Sequence, residues 1–172
     1  MVVVARGRAR GTIGSSYRDA MTQNPQTSPP ATRRSPFGMP VLALFGLAAL
    51  ALPRVILHDL RLIDPGGVLT WILAIGPMII WIVVAVVRRV PNPFLTLLLV
   101  GAIYGALSVI IHQLLWVNAF AGDVPSAGGP AGSVVARVAA VPSGLITGAV
   151  VGAITGLIAW GISAITRSRG RS

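Results

Sequence analysis

Of 172 residues, 54% are hydrophobic and only 10% charged, against about 25% charged in an ordinary soluble domain, so a water-soluble globular fold is excluded. The net charge of +10 suggests nucleic acid, but six arginines sit in the N-terminal tail and three in the last six residues, without the interleaved aromatics of a nucleic-acid surface; nucleic acid is excluded as a partner. The absence of cysteine excludes disulfides, thiolate metal sites and thiol redox chemistry.

Every basic residue is Arg and every acid is Asp, a usage that fits a GC-rich bacterial genome. Residues 1–36 are rich in Arg, Ser, Thr, Pro and Gln, a composition that predicts a disordered tail. Arg6, Arg8 and Arg10 follow Val2–Val4 instead of preceding it, the reverse of a secretory signal. Met21 begins a more ordinary polar leader, so residues 1–20 are expected to be an upstream extension of a start at Met21.

Four apolar runs free of acid follow. A helix rises about 1.5 Å per residue and the hydrocarbon core is about 30 Å thick, so roughly 20 apolar residues cross it. The spans fall at about 37–57, 68–87, 94–117 and 143–166, giving an all-α polytopic membrane protein whose four-helix transmembrane domain covers 37–166, with a basic tail at 167–172.

The first span opens on Pro36 and Pro40, tolerated where helix N–H groups lack partners, and meets Pro53–Arg54. Either the helix ends there, or it kinks and continues to Leu57 with the Arg54 head reaching the interface. A polar loop, residues 58–67, carries Asp59, Arg61 and Asp64 and ends on Pro65–Gly66–Gly67. The second span holds Trp71 near one end, as an interfacial anchor would be placed, and Gly76–Pro77 near its middle, where a kink is expected. Arg88–Arg89 close it, and Pro91–Asn92–Pro93 forces a tight turn that makes the second and third spans antiparallel neighbours. Residues 119–133 are a Gly- and Pro-rich loop. Residues 134–141, apolar except for Arg137, are too short to cross and form either an interfacial segment or an extra turn feeding the fourth helix, with Pro142 at the joint.

With the N-terminus inside, the inner flanks hold eleven arginines and the outer flanks three, Arg54, Arg61 and Arg137. That bias predicts both termini in the cytoplasm and a multi-pass protein of the inner (plasma) membrane.

Gly144, Gly148, Gly152 and Gly156 recur every fourth residue on the fourth span, and Gly101 and Gly105 make a shorter version on the third. Such spacing lets a neighbouring backbone approach closely. The leading expectation is packing between the third and fourth spans; the sharper alternative is a homo-oligomer, or a membrane-protein partner, bound through the glycine face of the fourth helix. A pore-lining face is the third reading.

At about 100° per residue, Gly101, Tyr104, Gly105, Ser108 and His112 fall within about 100° of arc, so the small and polar groups of the third span share a face that should look into the bundle. The outer end of that span lies on the same side as the loop after the first span. His58, Asp59, Arg61, Asp64, His112, Gln113, Asn118 and Asp123 are therefore candidates to converge there. His58, Asp59 and His112 are weak metal-ligand candidates, since no metal-binding spacing is present; interhelical hydrogen bonding is the simpler expectation.

No acid lies mid-membrane, which argues against a proton-coupled antiporter built on a buried carboxylate. There is no phosphate-binding loop, nucleophile elbow or zinc-protease motif, and no cofactor is expected. These features predict a non-enzymatic accessory, assembly or scaffold component of a bacterial cell envelope, in contact with the lipid bilayer. The alternative is a subunit of a small oligomeric transporter or channel.

Overall fold

The computed structural model describes residues 37–169 except 127 and 130. The expected N-terminal tail and the last three residues of the basic C-terminal tail lie outside these. Among the described residues there are six helices, α1 (Val41–Leu50), α2 (Leu52–Asp59), α3 (Val68–Val87), α4 (Pro93–Leu114), α5 (Trp116–Ala119) and α6 (Gly132–Arg169), and no strand. Four helices, counting α1 and α2 as one, are long and apolar enough to cross a membrane. The protein is an all-α, multi-pass membrane bundle.

The first crossing answers the question posed by Pro53. Pro40 caps α1, and the helix is interrupted at Ala51, whose N–H bonds back to the Ala48 carbonyl at 3.2 Å instead of reaching Leu47. It then resumes with Pro53 in its first turn, where a missing N–H is harmless, and runs to Asp59. The carbonyl of Leu47, released by the break, accepts a hydrogen bond at 2.7 Å from the indole Nε1 of Trp81 on α3. A local defect in one span is thus satisfied by a side chain of the next, as a backbone acceptor in an apolar medium requires.

Pro77 lies inside α3, which nevertheless continues to Val87. The turn that follows has its arginine in the left-handed region, Arg89 at φ 49°, and closes with Val90 N–H on the Ala85 carbonyl at 3.3 Å, a helix ending in which glycine is the usual residue. Asn92 caps α4 by accepting from the Leu95 N–H at 3.1 Å, ahead of Pro93. Thr96 ties this turn to the start of the first crossing, its hydroxyl 3.1 Å from the Phe37 carbonyl. Gly38, at φ 68°, packs so closely on Pro91 and Val90 that a side chain there has no room.

The sharp turn makes α3 and α4 antiparallel, yet they are not principal partners. The most extensive pairing joins α4 to α6, with α1 packing on α4 and α3 on α6. The reason is backbone access: α4 and α6 carry the glycines, so they gain dispersion contact that α3, lined with Ile and Val, cannot. Trp81 is the main bridge, fully buried and edge-on to the Tyr104 ring with centroids 6.0 Å apart.

Of the two forms expected for residues 134–141, the structure takes the second, helix that feeds directly into the fourth span. α6 runs for 38 residues through Pro142, about 57 Å at 1.5 Å per residue, almost twice the hydrocarbon thickness. The fourth span expected at 143–166 is its C-terminal part, preceded by eleven further helical residues. Outside the seams the helices present apolar faces to their surroundings; Leu69, Ile72, Ile79 and Val83 of α3 are 51–60% exposed and Leu42 of α1 is 83% exposed, a surface suited to lipid rather than water.

Candidate functional site

One set of polar groups gathers at the end of the bundle where α2 and α4 finish. Asp59 closes α2 and is buried, 2% exposed. One carboxylate oxygen, Oδ2, lies 2.9 Å from Nδ1 of His112 on α4, and Oδ1 lies 3.3 Å from Nδ1 of His58. A carboxylate withdrawn from water must be paired or neutralised, and here two imidazoles face it. With His112 neutral, its Nδ1–H donates to Asp59 and Nε2 keeps a lone pair; with it protonated, the contact becomes an ion pair.

Aromatic rings wall His112. Trp116 lies edge-on at 5.3 Å and Phe120 at 5.9 Å, and these two are 4.9 Å apart. Arg137 of α6 covers Trp116 from 5.5 Å, with its guanidinium donating to the Gln113 carbonyl at 3.0 Å. Gln113 in turn donates its side-chain amide to the Arg137 carbonyl at 2.9 Å. This reciprocal lock fixes the first turns of α6 to the end of α4.

Beneath it, Val55, Tyr104, Ser108, His112, Ser143 and Thr147 help line a cavity of about 240 Å³. The Ser108 hydroxyl is buried there without a hydrogen-bond partner. Thr147 spends its proton on the Ser143 carbonyl at 2.8 Å.

Of the residues expected to converge, His58, Asp59 and His112 do so. Gln113 joins Arg137 instead. Asp64 stays in its own turn, with an oxygen accepting from the Gly66 N–H at 3.2 Å and its carbonyl from the Thr70 hydroxyl at 2.6 Å. Arg61 and Asp64 line an open depression with His58, while Asn118 belongs to α5 and Asp123 follows it. Among the described residues no group of three or more His, Cys, Asp or Glu is arranged to hold a metal ion; both imidazoles direct Nδ1 at the carboxylate rather than at a common point.

The polar face of α4 divides. Tyr104 meets Trp81, Ser108 faces the cavity, and His112 reaches Asp59. Gly101 and Gly105 lie against α6: a Cβ on Gly101 would stand 2.6 Å from the Gly152 Cα, and one on Gly105 3.1 Å from the Gly148 Cα. Gly144 faces Val109, and a Cβ on Gly156 would come 2.9 Å from the Phe94 carbonyl oxygen. The glycine face of the fourth span is therefore covered from within, by α4 of the same chain.

The hydrogen bond from Trp81 to the Leu47 carbonyl has no counterpart in the sequence analysis. Arg54, half-buried, has its Nε buried without a partner and lines a second, smaller cavity with Trp81 and Tyr104.

No family model matches the chain, and neither the curated proteins nor the solved structures contain a match to it.

Proposed function

We propose that this is a small inner-membrane protein of a bacterial cell envelope with a non-enzymatic accessory, assembly or scaffold role, both termini lying in the cytoplasm. The observation that supports a presenting rather than a conducting role is the seam between α4 and α6. Backbone meets backbone from Gly105 to Gly156, so the middle of these two helices leaves no space for a passage. The buried carboxylate and both histidines lie at the end where Asp59 and His112 meet. By the arginine bias that end faces outward, away from Arg88, Arg89 and Arg167, where it is available to an envelope partner.

Purification of the tagged protein from native membranes in mild detergent should recover a specific partner in fixed proportion, and the protein alone in liposomes should pass no ions. The second reading, a subunit of a small oligomeric transporter or channel, is favoured by the cavity that His112, Ser108 and Tyr104 line. It requires flux that falls in His112→Ala and Tyr104→Phe. Flux with that dependence and no recovered partner would replace the first reading with the second. Labelling of either terminus by a membrane-impermeant reagent in intact cells would reverse the proposed sidedness.

A further inference from the structure

Arg54 lies one turn before His58 on α2. Helical side chains lean toward the N-terminus of their helix, so its stem leads away from the polar end and into the bundle. There it lines a cavity of about 60 Å³ together with Ala51, Met78, Trp81, Tyr104 and Thr147. Its Nε is shut off from the surface and bonds to nothing. No carboxylate lines the cavity, and the buried acid of this region, Asp59, has both oxygens engaged by histidines. The cation–π contact found among the described residues belongs to Arg137, not to Arg54. Arg54 is half-buried as a whole, and a basic side chain in a membrane span that meets no carboxylate is a costly arrangement that marks binding or transport sites.

We propose that Arg54 and Tyr104 bind an anionic group within the bundle: a small monovalent anion, or the carboxylate of an amphiphile. Arg54 and Tyr104 line one void and each carries a proton donor, the Nε–H of Arg54 being buried without a partner. Thr147 contributes no competing proton, because it donates to the Ser143 carbonyl. A water needs about 10–15 Å³, so the void has room for a halide or a carboxylate. The larger cavity shares Tyr104 and Thr147 as walls, which gives an amphiphile a mostly enclosed place for the atoms next to its charge. This site does not rest on the accessory role proposed above.

Trp81 lines the same cavity and so reports on its occupant. In a variant that keeps Trp81 alone (Trp71→Phe, Trp116→Phe, Trp160→Phe), purified in neutral detergent, iodide should quench the fluorescence with a saturating curve at constant ionic strength. Arg54→Gln should remove the saturating phase, Arg54→Lys should retain it, and Tyr104→Phe should weaken it by about threefold to tenfold, the worth of one hydrogen bond. Displacement of iodide by micromolar oleate in nanodiscs identifies an amphiphile carboxylate; a site indifferent to oleate takes the small anion. Strictly linear quenching in the Trp81-only protein would overturn the proposal, as would saturation that persists in an Arg54→Gln variant with unchanged helical circular dichroism.

Discussion

The indole Nε1 of Trp81 and the carbonyl oxygen of Leu47 are 2.7 Å apart, and their bond crosses between helices at the point where the first crossing is broken. Ala51 turns back to Ala48, leaving the Leu47 acceptor open in an apolar layer. Trp81, fully buried, closes it while its ring meets Tyr104.

Trp81→Phe should therefore destabilise the bundle by more than its lost volume. The orphaned acceptor alone costs about 1–3 kcal/mol, read as a lower midpoint in thermal or denaturant unfolding in detergent. Leu47 is held by its backbone, so Leu47→Met should be near neutral. An unchanged midpoint in Trp81→Phe would show that the bond contributes nothing.

Gly148→Ala should separate α4 from α6. The added Cβ would lie 2.7 Å from the Gly105 N and closer still to the Gly101 carbonyl oxygen, and backbone has no rotamer with which to yield. Overpacking of this kind costs about 1–3 kcal/mol. Gly161 stands on the same helix with nothing within 4 Å of its Cβ position, so Gly161→Ala should be neutral or stabilising by up to about 1 kcal/mol. Equal effects from the two substitutions would deny the seam its role.

Asp59 and His112 should be energetically coupled. A double-mutant cycle with Asp59→Asn and His112→Gln should return an interaction energy of about 0.5–3 kcal/mol, because the two groups are in direct contact and Asp59 is buried. Additive single effects would mean that the 2.9 Å contact is not maintained in the membrane-embedded protein.

Much of the architecture is legible in the chain. The spans declare themselves because lipid demands an apolar surface and internally satisfied backbone, constraints that act residue by residue. Pro91–Asn92–Pro93 announced a turn for local reasons, a cap and a fixed φ, and Asn92 does cap α4. The turn did not reveal that α4 packs chiefly on α6, since adjacency in sequence brings helices near without deciding which faces fit. Residues 134–141 stayed ambiguous for a related reason: Arg137 is acceptable in a loop, an interface or a helix, and its lock with Gln113 exists only once α4 and α6 are side by side.

The candidate site divides in the same way. Asp59 and His112 were legible as polar groups at the same membrane level, because helix length and topology fix depth. Their pairing depended on the rotation of α2 and α4 about their axes, which follows from the break at Ala51 and from the glycine seam.

The sequence by itself determined the solvent, the number of crossings and the glycine positions, since each depends on composition or spacing along one helix. The tertiary structure decided which helices share the seam, that Arg54 turns inward, that Trp81 closes the gap at Leu47, and that Asp59 meets His112. Those outcomes depend on helix rotation and offset, which are set jointly by all the packed faces and by no segment alone.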